Sequence, residues 1–232
     1  METKKIAVIG ASKGIGLCLT QLLLEQGHEV YATYSKTNPD FHHPNLHWQQ
    51  FDVLAQSTYV APEQLDGLVY CPGTIALKPF NRFSSADFQQ DFQLQVLGAI
   101  SCIQSALPTL KKSANASVVL FSTVAVQQGL PFHSLVSTSK GAIEGLTRAL
   151  AAELAPIVRV NAIAPSLTDT PLAENLLNSD AKREANAARH PLKRVGEAKD
   201  IAAMAAFLLS EQASWISGQI MHVDGGISAL RV

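Results

Sequence analysis

The sequence of 232 residues contains only three cysteines, Cys18, Cys71 and Cys102. Their number is odd and their spacings are unrelated, with no C-x-x-C pair, so the pattern excludes a disulfide framework and a cysteine-based zinc site. We therefore expect buried free thiols and a reducing, cytoplasmic compartment.

An excess of charge is also missing, because 18 Lys and Arg residues nearly balance 19 Asp and Glu residues, for a net charge of −1. Such a balance creates no field that would attract nucleic acid or an anionic membrane. No apolar run approaches the ~18 residues of a membrane-spanning helix, and residues 1–5 have no signal-peptide character. We expect a small-molecule substrate as partner, with no nucleic acid and no membrane.

Clusters of metal-ligating residues are scarce as well. Three histidines, His42, His43 and His47, belong to a polar loop over residues 37–47. Two of them are adjacent in the chain and the third enters the next predicted strand, without a cysteine or a carboxylate pattern beside them. The sequence therefore predicts no metal site.

Short apolar runs alternate regularly with helical patterns, in a chain that is 47% hydrophobic. This alternation predicts parallel strands joined by helical crossovers. We predict one α/β domain over residues 1–232, a doubly wound seven-stranded parallel sheet with an abbreviated crossover after the third strand. The predicted strands lie at residues 6–9, 27–33, 46–53, 65–70, 116–121, 157–163 and 218–223. The predicted helices lie at residues 17–24, 85–110, 139–154 and 200–209, with a helical lid over residues 172–192.

The first predicted strand breaks into a glycine-rich turn that leads into the first helix. The turn consists of Gly10, Gly14 and Gly16, with Ser12, Lys13 and Ile15 between them. Glycines let a phosphate approach the backbone, and the free amides and dipole of a helix N-terminus attract it. The turn predicts a pyrophosphate site for a dinucleotide, and the alternative is a glycine-rich turn without a ligand.

The residues after the second predicted strand indicate which dinucleotide is favoured. An acid there would bind a ribose 2′-hydroxyl and repel a 2′-phosphate, whereas this chain has Thr33, Ser35 and Lys36. With Lys13 in the glycine turn, two cations and two hydroxyls predict NADP(H) as the cofactor. The alternative is that both lysines are solvated surface residues.

As an ordered set, these motifs resemble the short-chain dehydrogenase/reductase family over essentially the whole chain. The matching stretches are residues 10–16, 52–53, 72–73, 122, 139–142, 159–165, 170 and 218–226. The resemblance implies a Rossmann-type fold and a cofactor cradled by the glycine turn. It also implies homo-oligomerisation, as a homodimer through helices 86–110 and 139–154, or as a homotetramer through the strand at 218–223.

The resemblance implies roles for residues beyond the glycine turn. In the family, the acid at the position of Asp52 contacts the adenine, with Val53 beside it. Lys140 stands where the family's lysine holds the nicotinamide ribose, and Thr170, five residues after Pro165, stands where a threonine contacts the carboxamide. Gly73 and Pro165 complete the cofactor-binding positions.

The chain departs from the family pattern at its catalytic positions. The family's tyrosine lies four residues before the lysine, where Val136 stands here, and a valine has no proton to give. The substrate-orienting serine is replaced by Thr123, and the asparagine of the helix after the fourth strand is replaced by Gln95. Further departures are Cys71-Pro72 for Asn-Ala and Ser166 for glycine.

A different group must supply the proton if the chain is an enzyme. His133 lies seven residues before Lys140, which is the spacing of the tyrosine in the similar enoyl-acyl carrier reductases, and an imidazole is a suitable acid at neutral pH. The alternative is a surface histidine held in a loop by Pro131. Thr123, Ser134 and Ser137 are other candidates, although an alcohol needs help to act as an acid.

Two classes of function therefore stay open. In one, the chain is an NADP(H)-dependent oxidoreductase that uses an unusual proton donor or water, in which Thr123, Lys140, His133 and Gln95 are the catalytic residues. In the other, it is an NADP(H)-binding pseudoenzyme that acts as a sensor or scaffold subunit. Both classes bind the cofactor, so turnover distinguishes them.

Overall fold

The computed structural model describes residues 3–36, 38–55 and 58–231. Within these residues, seven parallel strands form one sheet in the order β3-β2-β1-β4-β5-β6-β9, and β7 pairs with β8 in a separate two-stranded ladder. The strands are β1 (Lys5–Ile9), β2 (Glu29–Tyr34), β3 (Leu46–Gln50), β4 (Gly67–Tyr70), β5 (Ala116–Phe121), β6 (Val158–Pro165), β7 (Thr168–Asp169), β8 (Gly196–Glu197) and β9 (Ile220–Val223). The predicted doubly wound parallel sheet is confirmed.

Helices connect the strands and cover both faces of the sheet. They are α1 (Gly14–Glu25), α2 (Ser85–Phe92), α3 (Gly98–Leu110), α4 (Ala125–Gln128), α5 (Ser134–Leu154), α6 (Glu174–Leu177), α7 (Asp180–Arg189) and α8 (Ala198–Leu209). A π-helical turn, Gln93–Leu97, joins α2 to α3. Short 3₁₀ turns lie at Phe80–Arg82, Pro171–Ala173 and Glu211–Ala213.

The core lies in two layers because neighbouring residues of a strand face opposite sides of the sheet. In β1, Ile6 and Val8 pack in the cluster that contains α1 and α8, whereas Ala7 and Ile9 pack in the cluster that contains α3 and α5. All four side chains are at most 1% exposed. Burial on both faces explains why β1 is a continuous apolar run rather than an alternating one.

The structure differs from the sequence prediction at α5, which begins five residues earlier than expected. Polar residues between positions 134 and 139 weaken the local helical pattern, but Leu135 and Val136 are buried in the first turn of the helix. The backbone amide of Ser137 also donates to His133. Tertiary packing therefore extends the helix beyond its local sequence signal.

Two further departures concern the end of one predicted element and the interior of another. β3 ends at Gln50 rather than at residue 53, because the backbone turns where Leu54 N donates to the Asp52 carboxylate. The predicted helix over residues 85–110 is interrupted by the π-helical turn. In the described part of residues 51–66 no helix occurs, as expected for an abbreviated crossover.

The arrangement of parallel strands positions the candidate site. All seven carboxyl ends meet at one edge of the sheet, where open α/β folds bind their ligands. The predicted site residues follow β1 to β6 at that edge or lie on α5 and the π-helical turn. Among the described helices none is long and apolar enough to cross a membrane, and no described cluster of His, Cys, Asp and Glu could hold a metal ion.

Candidate active site

The glycine turn between β1 and α1 has no room for side chains. Gly10 has φ +77°, and a Cβ on it would lie 3.0 Å from the ring of Pro72. A Cβ on Gly16 would overlap the carbonyl oxygen of Gly10, whose backbone cannot yield easily. Glycine is therefore required at both positions to keep the turn tight and its backbone accessible.

The N-terminus of α1 offers free hydrogen-bond donors to an anion. Lys13 precedes the helix without a side-chain cap from any described residue, and no acid stands in the first turn. By contrast, the Ser84 side chain caps α2 and the Ser179 side chain caps α7. The uncapped amides, the positive end of the helix dipole and the bare glycine backbone fit the pyrophosphate of a dinucleotide.

Thr33 supports the turn from the end of β2. Its hydroxyl accepts a hydrogen bond from Gly10 N at 2.9 Å, and its carbonyl accepts one from Ala11 N at 2.8 Å. With 2% exposure it lies beneath the turn. Ser35 and Lys36, which follow it, are exposed at the same edge of the sheet, as is Lys13.

The remaining residues of the cofactor set lie toward the carboxyl edge of the sheet. Val53 packs against Gly98, where an added Cβ would overlap its Cγ1 atom. Thr170 approaches Gly14, since a Cβ on that glycine would lie 3.6 Å from the threonine Cβ. Asp52, Ser12, Ile15 and Pro165 are half-buried around the same edge. Thr170 thus lies beside the glycine turn, while the roles of these residues toward a cofactor stay predictions.

Lys140 lies on α5 with 9% exposure. Its Nζ atom is 3.7 Å from the point where a Cβ on Gly73 would stand, and Gln95 Oε1 is 3.3 Å from the same point. Burial lowers the pKa of Lys140 to about 8, while the charges of Asp91 and then Cys71 act in the opposite direction. The structure therefore brings together Gly73, Gln95 and Lys140, which lie on three separate segments of the chain.

Asp91 is a member of this cluster that the sequence analysis missed. Its carboxylate is 5% exposed and accepts hydrogen bonds from Thr74 Oγ1 at 2.5 Å, from Gln95 Nε2 at 2.8 Å and from Ser139 Oγ at 2.6 Å. Its position four residues before Gln95 was a usable signal, because side chains one helical turn apart are neighbours. An acid on a helix is usually solvated, so the residue looked ordinary in the sequence.

The positions expected to hold catalytic groups lie around α5. Val136 is 5% exposed and one helical turn before Lys140 on the same face. Thr123 follows β5, and its hydroxyl accepts a hydrogen bond from Ala125 N at 3.3 Å, which leaves the hydroxyl proton free to donate. α5 packs against this segment, since Ser137 Oγ donates to the Ala125 carbonyl at 3.1 Å.

His133 directly precedes the first residue of α5. Its Nδ1 atom lies 2.7 Å from the carbonyl oxygen of Pro131, so Nδ1 carries a proton and donates it there. Seven residues of helical rise place it about 10 Å along the axis from Lys140. The helix begins only after His133, and the Pro131 carbonyl holds the His133 ring in place. The Nε2 atom has no partner among the described residues and can exchange a proton.

The lid predicted over residues 172–192 contains α6 and α7, and one buried histidine ties it to the sheet. His190 is 3% exposed, and its Nδ1 atom lies 2.8 Å from the Asn186 carbonyl oxygen, to which it donates. Its Nε2 atom then accepts from Ser166 Oγ at 2.8 Å. Ser166, which departs from the family's glycine, therefore anchors the end of the lid beside the end of β6.

Comparisons with known proteins agree with the fold. A family model described as enoyl-(acyl carrier protein) reductase matches residues 47–228. A tropinone reductase homolog of Arabidopsis thaliana is 32% identical over 240 residues, which are 95% of this chain and 91% of the relative. Cyclopentanol dehydrogenase of Comamonas testosteroni is 28% identical over 250 residues, covering 99% and 98% of the two chains. The ligand-free structure of aldohexose dehydrogenase from Thermoplasma acidophilum is similar with a TM-score of 0.88 and 27% identity, covering 99% and 96%.

Proposed function

The chain belongs to the short-chain dehydrogenase/reductase family, and on that premise we propose that it is an NADP(H)-dependent oxidoreductase whose active site works without the family's tyrosine. The observation that carries the proposal is the buried cation of Lys140, set beside Gly73 and Gln95 at the sheet edge that also holds the glycine turn. A buried charge costs free energy unless it is paired and hydrogen-bonded, so a buried ammonium favours a polar ligand beside it. Here it faces the predicted position of the nicotinamide ribose.

Each group of the chain then has a defined task. The uncapped amides of α1 bind the pyrophosphate, and the Lys140 ammonium donates hydrogen bonds to the ribose. Thr123 donates its free hydroxyl proton to the substrate oxygen and orients it. When bound, NADP(H) supplies or accepts the hydride, which is chemistry that the protein's own side chains lack.

The preference for NADP(H) rests on the charges at the carboxyl edge of β1 and β2. Lys13 and Lys36 are both exposed there, and no carboxylate follows β2 at residues 35 and 36. Two ammonium groups favour the extra phosphate on the ribose, whereas a free 2′-hydroxyl gains little from them. We infer that the 2′-phosphate lies between these lysines.

Val136 makes ordinary ketone reduction slow. A tyrosine at this position would lie close to the Lys140 ammonium, which would lower the pKa of the phenol and ready it to exchange a proton. The valine leaves Thr123 and His133 as donors, and His133 matches the spacing of the donor in the enoyl-acyl carrier reductases. We therefore propose His133 as the displaced acid, which in its imidazolium form donates the proton on Nε2.

A turnover screen tests the function. The chain, incubated with NADPH and a panel of ketones, aldehydes and enoyl thioesters, is expected to oxidise NADPH slowly with at least one compound, measured as loss of the reduced-nicotinamide absorbance. Omission of substrate is the control for background oxidation. Tight NADPH binding without turnover of any compound would instead favour the sensor or scaffold subunit, for which the buried and unreactive Val136 is the supporting observation.

We also propose that the chain assembles as a homodimer or homotetramer. On α5 the small residues Gly145, Ala149 and Ala152 are exposed at helical spacing, and Leu97 of the π-helical turn is 42% exposed. β9 forms an edge of the sheet. Sedimentation velocity at micromolar concentration is expected to give two or four times the chain mass of 24.9 kDa, and a single species of the chain mass would contradict the proposal.

A further inference from the structure

The Asp91 carboxylate is buried on the last turn of α2 and surrounded by donors. The Gln95 amide nitrogen, which can only donate, is 2.8 Å from each carboxylate oxygen, and the Thr74 and Ser139 hydroxyls complete the set. A carboxylate accepts four or more hydrogen bonds when ionised. The four hydrogen bonds are shared between the two Asp91 oxygens, so each oxygen accepts two.

The orientation of Gln95 follows from Asp91. Because both carboxylate oxygens take up the Nε2 end of the amide, the Oε1 end must point the other way, toward Gly73. Gln95 is fully buried, and Oε1 has no hydrogen-bond partner among the described residues. Its neighbour across Gly73 is Lys140 Nζ, a donor that itself makes no direct hydrogen bond within the described parts of the chain. The acceptor and the donor therefore face the same small space.

The electrostatics of Lys140 require a negative partner. Burial opposes its charge, and a valine stands where a tyrosine hydroxyl would otherwise lie one turn earlier. Asp91 favours the charged form, and Cys71 acts in the same direction. Two other charged residues lie near Asp91, because Lys78 and Asp87 line the same cavity of about 210 Å³ that Asp91 borders. Their charges are opposite in sign. Asp91 is thus the carboxylate that acts on this lysine from within the protein.

We propose that Asp91 is a positioning residue of the active site, which orients Gln95 and through it holds Lys140 as a charged ammonium facing the cofactor. The proposal deepens the proposed function and rests on it, because a cation at this position matters only if the site binds a nicotinamide ribose. The Asp91 carboxylate thereby compensates for the tyrosine hydroxyl that is absent where Val136 stands.

An NMR titration of lysine side chains tests the proposal without substrate or cofactor. The Lys140 signal is identified by its absence in the Lys140→Met variant and followed from pH 6 to 11. In Asp91→Asn, the midpoint of the Lys140 titration is expected to fall by roughly one pH unit or more, because an opposite charge that favoured the ammonium is lost. The ammonium exists below its pKa, so the variant loses the charge at a lower pH than the unmodified chain.

Matched variants make the result specific. Asp87→Asn is the same chemical change one turn earlier on α2 at a partly exposed site, and it is expected to leave the Lys140 midpoint unchanged. Gln95→Met removes the amide with little change in volume, and it is expected to lower the midpoint as well. An unchanged midpoint in a folded Asp91→Asn protein would overturn the proposal.

A second pair of variants is the control for misfolding. The amide that Asp91→Asn introduces would direct hydrogens at Ser139 Oγ. The double variant Asp91→Asn, Ser139→Ala removes that clash, and it is compared with Ser139→Ala alone. A fall in the midpoint within this pair supports the proposal, and no fall contradicts it.

A functional readout separates this proposal from the proposed function. The pH at which NADPH affinity declines on the alkaline side is expected to move down in Asp91→Asn by the same interval as the NMR midpoint. If the unmodified chain does not bind NADPH, the proposed function fails while the titration still reports on Asp91. If NADPH binds but the alkaline limb stays in place, the positioning role fails and the oxidoreductase assignment stands.

Discussion

The Val136→Tyr variant is expected to reduce a ketone about 10²- to 10⁴-fold faster than the unmodified chain, which is the usual contribution of a well-placed general acid. The physical reason is the helix geometry of α5, which puts residue 136 one turn before Lys140 on the same face. A phenol there contacts the ammonium, which lowers its pKa. With Thr123 orienting the substrate, the variant has a complete proton-donating set, and the rate is measured as NADPH oxidation with a fixed ketone.

Val136→Phe is the matched control, because it adds the same ring without the hydroxyl. Val136 is 5% exposed, so either ring is expected to cost about 1–3 kcal/mol of stability through overpacking, seen as a lower melting temperature. A gain in rate for tyrosine alone supports the role of the missing acid. Equal rates for the two variants, in folded protein that binds NADPH, would contradict it.

The role of His133 is tested in two backgrounds, the unmodified chain and the Val136→Tyr variant. In the unmodified chain, His133→Ala is expected to abolish slow turnover without weakening NADPH binding, because Nε2 is the proposed acid. In the Val136→Tyr background the same substitution is expected to have little effect, since the tyrosine has taken over the proton transfer. Equal losses in both backgrounds would indicate that His133 supports the structure rather than donating a proton.

The Lys13→Ala variant is expected to weaken NADPH binding by roughly 10- to 100-fold while leaving NADH binding nearly unchanged. A hydrogen bond between charged partners contributes about 1.5–3 kcal/mol, and only the 2′-phosphate carries the matching charge. Isothermal calorimetry with both nucleotides measures the difference. Because Lys13 is exposed at the N-terminus of α1, the effect is expected to shrink as salt concentration rises.

Lys111→Ala provides the control for Lys13→Ala, because Lys111 is an exposed lysine at the far end of α3. It is expected to leave the affinities for both nucleotides unchanged. Equal affinity of the unmodified chain for NADPH and NADH, or tighter binding of NADH, would contradict the assignment of the cofactor. A parallel loss of both affinities in Lys13→Ala would show that the lysine contacts the pyrophosphate instead.

The sheet and the glycine turn could be predicted because their signals are local. The central strands β1, β4 and β5 are mostly apolar runs, and Gly10 and Gly16 mark a turn whose backbone excludes side chains. The start of α5 could not be predicted, since it depends on the burial of Leu135 and Val136 against distant parts of the chain. Local helix propensity is a weak guide when packing decides the outcome.

The cluster around Lys140 shows a different limit of sequence analysis. Gln95 and Lys140 were found because each occupies a position of a family motif. Asp91 occupies no such position, and its hydrogen bond to Ser139 joins residues 48 apart in the chain. Only the fold brings them together. The hydrogen bond between Ser166 and His190, 24 residues apart, was missed for the same reason.

Within the lid, the helix α7 contributes no buried residue. Arg183 is paired with Asp169 of β7 at 2.5 Å, and His190 fixes the far end, yet none of the ten residues of α7, all of which the structure describes, is buried. Substitutions at exposed positions usually change stability by less than about 0.5 kcal/mol. Mutations in α7 can therefore accumulate without unfolding the protein, so selection for a new substrate, or a laboratory library aimed at one, meets its lowest barrier in this helix.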